Sequence, residues 1–133
     1  MATQEEDLAP AADLRTRPQS PEGTWAVRVT FADGTRNERG LFAFTAEGLL
    51  IQTNTGSQTT GIGRWRRTRN GFRFTFREQA FDDDGKFAFD VHVDHEGSLT
   101  TGDTFTSNGT GTAVDADGQI VRVSVTTVTA ERY

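Results

Sequence analysis

Residues 62–81 decide the fold, and they read IGRWRRTRNGFRFTFREQAF. Aromatic residues alternate with arginine and threonine around Asn70-Gly71, which is the period of a β-strand with one apolar face. An Asn-Gly pair supplies the positive φ that a two-residue hairpin turn requires. The stretch therefore predicts two antiparallel strands whose aromatic side chains share the inner face of a sheet.

The register of this hairpin follows from the length of its turn. A two-residue turn places Trp65 opposite Phe76 and Arg67 opposite Phe74, which matches aromatic rings on the inner face. The pairing is self-consistent, because every residue expected to point inward on one strand meets an inward position on the other.

The next hairpin is predicted to turn at a bulged glycine. Such a turn pairs Phe81 with Phe87 and Gln79 with Phe89, so that all four side chains point inward. A further bulge near residues 77–78 keeps the earlier phenylalanines opposite valines of the following strand. Bulges often redirect side chains next to active sites, which draws attention to this part of the strand.

Outward from these hairpins, strands and turn signals alternate at short intervals from Gly23 onward. Gly-containing dipeptides such as Asp33-Gly34 and Asp117-Gly118 mark the turns. The predicted strands cover residues 24–32, 40–46, 49–54, 62–69, 72–81, 86–100, 104–114 and 119–131. Eight strands in meander order predict an all-β fold, an eight-stranded antiparallel up-and-down barrel.

The 133 residues suffice for one domain with a core, and the chain divides into two parts. Residues 1–22 contain all three prolines and the acidic run at residues 5–7, with few apolar residues. We expect a disordered arm there, with a lid over the barrel mouth as the functional alternative. Residues 23–133 form the predicted β-barrel domain.

Composition excludes several classes of partner. A net charge of -5 disfavours binding of nucleic acid by bulk charge, and no segment is apolar enough to span a membrane. We therefore expect no nucleic-acid and no membrane partner. The absence of cysteine and of a signal peptide predicts a cytoplasmic protein. The sequence is compatible with a homodimer.

Two motifs suggest other chemistry, but neither pattern is complete. An arginine-rich hairpin with interleaved aromatics is typical of an oligonucleotide-binding face, but Asp90 and Asp94 would neutralise part of it. His92 and His95 are three residues apart on one strand, so they face opposite sides and cannot share a metal. We expect no metal and no cofactor.

The start and the end of the barrel carry a recognisable pair of features. Gly23-Thr24-Trp25 opens the first strand and Arg132 closes the last one. This arrangement resembles the lipocalin-like (calycin) barrels, in which an indole plugs the closed end beneath a basic residue of the last strand. A guanidinium can stack on the indole and bond to carbonyl groups at the strand ends.

The chain departs from the secreted transport lipocalins, because it has no disulfide and no C-terminal helix. It looks more like the compact bacterial calycin-like domains, some of which are cyclases of polyketide pathways. The resemblance implies a barrel cavity and a cyclase or isomerase of natural-product biosynthesis, an analogy at the level of fold.

If Trp25 marks the floor, the loops around residues 33–39, 54–61, 81–86 and 115–118 ring the mouth. Room inside the barrel would be left by Gly61, Gly63, Gly109 and Gly111. An eight-stranded barrel is either filled by its own side chains or holds one small ligand, and the sequence is compatible with both. The aromatic residues predicted to line a cavity are Phe31, Phe42, Phe44, Trp65, Phe74, Phe76, Phe81, Phe87 and Phe89.

Four polar residues are catalytic candidates. Arg67 and His95 are expected to form an inward polar pair that orients an enolate or carboxylate, with a structural pair at the floor as the alternative. Glu78 and Gln79 lie near the mouth and can hydrogen-bond to a substrate carbonyl, unless Glu78 faces water.

These observations predict a barrel that binds a hydrophobic small molecule. The favoured hypothesis is a cyclase or isomerase that folds its substrate and offers one or two hydrogen bonds. A non-enzymatic carrier or sensor of an apolar metabolite is the alternative. An interaction module with a filled barrel is the third hypothesis.

Overall fold

The structure is a computed structural model that describes residues 20–133. Eight antiparallel strands close into a barrel in sequence order, with β8 returning to β1, and this confirms the predicted fold. Within residues 20–133 no helix is long and apolar enough to cross a membrane. The strands are β1 (Gly23–Phe31), β2 (Asn37–Phe44), β3 (Leu49–Asn54), β4 (Gly61–Arg67), β5 (Phe72–Phe81), β6 (Phe87–Thr101), β7 (Thr104–Asp115) and β8 (Ile120–Arg132).

The β4–β5 hairpin keeps the predicted inner face but has a different register. Its connection is longer than two residues, since the Thr68 amide bonds to the Gly71 carbonyl at 2.9 Å, and Gly71 does not have a positive φ. Trp65 therefore pairs with Phe74, and not with Phe76. A shift of two residues leaves every side chain on its predicted face, because the period of a strand is two.

The β5–β6 bulge lies between Ala80 and Phe81, and not near residues 77–78 as predicted. Phe81 does pair with Phe87, but Gln79 pairs with Asp90 and points outward. The shifted bulge leaves Glu78 in phase with the buried phenylalanines of β5.

The floor is closed as the resemblance implied. The Trp25 indole is fully buried and its Nε1 donates to the Pro21 carbonyl oxygen at 2.7 Å. The Arg132 guanidinium lies 4.2 Å from the indole centroid and donates to the carbonyl oxygens of Glu22 and Gly102 at 2.5 and 3.1 Å. Residues 20–22 thus belong to the floor, and the rest of the predicted arm and lid lies outside the described residues.

The lower half of the barrel is packed solid. Aromatic side chains dominate it, and most of their ring pairs meet edge to face; for example, the Trp25 and Phe105 ring centroids are 4.8 Å apart. Such contacts add to the energy of burial. Any cavity must therefore lie in the upper half, toward the mouth. The fully buried aromatic side chains are Trp25, Phe42, Phe72, Phe74 and Phe105.

Candidate functional site

The upper half of the barrel holds a cavity of about 460 Å³ that opens at the mouth. This volume lies within the range of about 300–1,000 Å³ that is typical of small-molecule sites. Loop residues 56–58 and the end of β5 form its rim, as the predicted position of the mouth requires. Its wall combines polar and apolar side chains, and the apolar part includes Val29, Phe42, Phe76, Val91, Val93 and Val128.

The structure places six of the nine predicted aromatic residues at this cavity. Phe44 and Trp65 do not line it, because both pack at the floor, where their ring centroids are 6.2 Å apart. Phe87 does not line it either and is 40% exposed at the rim. The six that line it are Phe31, Phe42, Phe74, Phe76, Phe81 and Phe89.

Glu78 is the most deeply buried carboxyl group of the wall, with an exposed fraction of 8%. Its Oε2 accepts hydrogen bonds from Gln52 Nε2 and, at 2.6 Å, from Asn54 Nδ2. The absence of a side chain at Gly61 makes room for the Gln52 amide, since a Cβ there would lie 2.3 Å from Nε2. Two amides on β3 thus hold the orientation of one carboxyl group on β5.

Burial raises the pKa of Glu78 above its usual range. The hydrogen bonds from Gln52 and Asn54 oppose this shift, and repulsion from Glu38 adds to it. Glu38 is itself mostly buried and lies 3.4 Å from Arg36 Nε. A carboxyl group in this setting can exchange its proton at a higher pH than a surface glutamate.

His95 lies at the bottom of the cavity and is fully buried. Its Nδ1 lies 2.8 Å from Ser107 Oγ and its Nε2 lies 2.7 Å from Thr126 Oγ1, while its ring stacks on Phe74 at a centroid distance of 5.3 Å. Burial lowers the pKa of His95 to about 4, against the attraction of Asp94, so the imidazole is neutral near pH 7.

The predicted polar pair of His95 and Arg67 is wrong. Both ring nitrogens of His95 lie within hydrogen-bond distance of hydroxyl groups. His95 pairs with Phe74 and not with Phe72, so its side chain enters the barrel two residues farther from the floor than predicted. Arg67 lies at the floor end of β4, half-exposed, with its Nη2 3.9 Å from Glu22 Oε2.

Gln79 reaches only the rim of the cavity. Its side chain lies outside the barrel, 3.4 Å from Asp90 Oδ1, and its backbone bonds to the Thr59 side chain. Of the four predicted catalytic residues, the structure therefore brings Glu78 and His95 inside.

Three of the four glycines predicted to leave room, Gly61, Gly63 and Gly109, leave it for the protein's own backbone and side chains. A Cβ at Gly63 would clash with the β5 backbone, 1.8 Å from the Thr75 carbonyl oxygen. A Cβ at Gly109 would lie 2.6 Å from His95 Cδ2. Gly111 differs, because a Cβ there would meet nothing closer than 3.8 Å and would face the cavity.

Several polar residues of the cavity wall are not among the candidates that the sequence analysis names. Gln52 and Asn54 follow Leu50 at intervals of two, and this alternation with a buried leucine could have placed them inside. The same interval of two on β8, counted from the buried Val128 toward the mouth, identifies further inward positions. The β8 residues it adds to the wall are Arg122, Ser124 and Thr126.

No family model matches the chain, and no curated protein matches it. A solved structure described as EF1p2_mFAP2b bound to DFHBI is similar, with a TM-score of 0.59 and 17% sequence identity. The match covers 84% of this chain and 93% of that one. At this identity the likeness shows the fold, a barrel of the kind that the lipocalin-like resemblance implied, and carries no support for a cyclase.

Proposed function

We propose that the barrel binds an apolar small molecule in its upper cavity and that Glu78 receives the molecule's hydrogen-bonding group. The observation that carries this proposal is an open cavity with a continuous set of aromatic and valine side chains, into which two amides orient the buried carboxyl group of Glu78. The description of EF1p2_mFAP2b as bound to DFHBI supports it, because that chain has a similar barrel.

The wall and the carboxyl group have separate tasks in this proposal. Displacement of water from Phe42, Phe76 and Val91 provides most of the affinity. Glu78 provides orientation, because its carboxyl group donates to a ligand carbonyl when protonated and accepts from a hydroxyl when ionised. Gln52 and Asn54 fix the carboxyl group in advance, which reduces the entropy lost on binding.

We further propose that the bound molecule is isomerised or cyclised, with Glu78 as the proton-transfer group. The raised pKa of Glu78 favours this role, since a proton donor works best when its pKa is near the working pH. The apolar wall would fold the substrate into a reactive shape. A carrier or sensor without turnover is the alternative, and it is favoured by the sealed state of His95, whose two ring nitrogens both lie within hydrogen-bond distance of hydroxyl groups.

Binding is tested with two ligands of the same shape, 2-naphthol and 2-methylnaphthalene, by titration calorimetry. We expect the wild type to prefer the naphthol by about tenfold or more, because a hydrogen bond to a charged group contributes about 1.5–3 kcal/mol. Glu78→Gln should lose most of this preference. The matched control is Glu96→Gln, an exposed carboxylate on the outside of β6, which should keep it.

Equal affinity of the wild type for both ligands would refute the role of Glu78, and failure to bind either one would refute an open apolar site of this size. Turnover is tested separately by incubating a ligand that co-purifies with the protein and following its conversion by NMR. Conversion that stops in Glu78→Gln supports the enzyme, and unchanged ligand with intact binding supports the carrier.

A further inference from the structure

The outer wall of the barrel carries an aliphatic patch that the cavity does not explain. The patch consists of Leu41, Leu49, Ile51 and Ile62, which are 50%, 48%, 47% and 67% exposed. Ile51 pairs directly with Ile62 across β3 and β4 and with Ala43 across β2 and β3, so the side chains are adjacent on one surface. Clustered exposed aliphatic residues mark interaction sites more often than scattered ones do.

Arginines surround this patch on every strand that borders it. Outward positions of the described strands β1–β5 carry no aspartate or glutamate, although the whole chain has a net charge of -5. The Arg73 guanidinium is neutralised by Asp94 at 2.5 Å. The other outward arginines of these strands are Arg28, Arg39, Arg64, Arg66 and Arg77.

We propose that this wall, the aliphatic patch with its five arginines, docks on a membrane surface that bears anionic lipid headgroups. Guanidinium groups bind phosphate oxygens, and each basic residue near an anionic bilayer adds to affinity. The aliphatic side chains enter the headgroup region, where burial of apolar area adds to the electrostatic attraction. The proposal is independent of the cavity and its ligand.

Other occupants fit the wall less well. Phe72, Phe74 and Phe76, which interleave with the arginines in the sequence, are buried inside the barrel, so the wall has no rings on which nucleic-acid bases could stack. A two-fold dimer through this wall would set arginines against arginines. A closed barrel also offers no free strand edge to a peptide.

The acidic residues of the chain do not oppose this docking strongly. Three lie in the mouth loop at residues 82–84, and others lie outward on β6. At physiological salt, exposed charges are screened over about 8 Å, so the local arginines decide the attraction. Docking at the surface needs no membrane-spanning segment, and the expectation of no membrane partner rested on the lack of such a segment.

The test is co-sedimentation of the full chain with phosphatidylcholine vesicles, with and without phosphatidylglycerol. We expect binding that depends on phosphatidylglycerol and weakens as salt is raised. Arg64→Gln combined with Arg66→Gln should weaken it about 30-fold, from roughly fivefold for each basic residue. Ile51→Ser combined with Ile62→Ser should weaken it about tenfold through lost apolar contact.

The matched control is Val123→Ser combined with Val125→Ser. These valines are 58% and 56% exposed on β8, whose outward positions carry no arginine, and their loss should leave vesicle binding within twofold. All six positions are at the surface, and circular dichroism verifies that each variant is folded.

Three results would overturn the proposal: equal binding to neutral and anionic vesicles, no binding to either, or an equal loss in the control. Doubling of the mass in light scattering that the isoleucine variant abolishes would instead assign the wall to a second copy. Binding to poly-glutamate or poly-uridine that the arginine variant abolishes, without binding to vesicles, would assign it to an acidic polypeptide or to RNA.

Discussion

Acidification should destabilise the barrel through the buried imidazole of His95. Its folded pKa is about 4, below the ordinary value of 6.5, so the unfolded chain binds the proton more tightly. Stability is therefore lost as the pH falls from 6.5 toward 4. At about 1.4 kcal/mol for each pH unit, the loss over this interval is on the order of 3 kcal/mol.

The assay is urea unfolding followed by tryptophan fluorescence between pH 7 and pH 4. Because other groups titrate in this range, the comparison is between the wild type and His95→Gln, which removes the imidazole. The variant should be less stable at pH 7, where it lacks the fitted ring, and its stability should fall less with acid by on the order of 3 kcal/mol. The control is Ser98→Ala, an exposed position of the same strand without an ionisable side chain, which should keep the wild-type slope. Parallel curves for wild type and His95→Gln would refute the assignment of a neutral, sealed histidine.

Three further predictions concern the floor, the strand contacts and the cavity. Trp25→Ala should cost about 3–5 kcal/mol in urea unfolding, because it empties the closed floor. Gly109→Ala should strongly lower the melting temperature, since its Cβ would lie 1.9 Å from the Asp94 carbonyl oxygen, whereas Gly111→Ala should leave it nearly unchanged. Glu78 has a raised pKa, so its contribution to stability is fully present below about pH 4.5 and is lost as the pH rises through its folded pKa; Glu78→Gln should remove this loss in the same urea series.

The fold was predictable because its signals are local. Turn glycines such as Gly34 and Gly118 have the positive φ that their dipeptides indicated. Alternation alone assigned the inner face of β5 from Phe72 to Phe76, and Trp25 with Arg132 identified the closed end.

Register and the polar wall were less predictable, for physical reasons. The β4–β5 connection is set by how the chain closes between Thr68 and Gly71, which the Asn-Gly pair does not reveal. The observed bulge lies a few residues beyond the predicted one, and as a result Glu78 points into the barrel and Gln79 points outward. The residue type of Gln52 is one that is usually found on an outward face, so the sequence gives no sign that its side chain points inward. Its inward position is favourable because its amide bonds to the buried Glu78.

The central claim is that the upper half of the barrel is an open site for an apolar molecule. Native mass spectrometry of the protein from its producing cell tests it most directly, with wild type beside Gly111→Leu, whose added side chain would project into the cavity. We expect a co-purified small molecule on the wild type and its loss from the folded variant, while Thr110→Leu on the outside of β7 retains it. A wild type that stays bare after exposure to a library of lipophilic compounds, or a molecule retained equally by Gly111→Leu, would contradict the account.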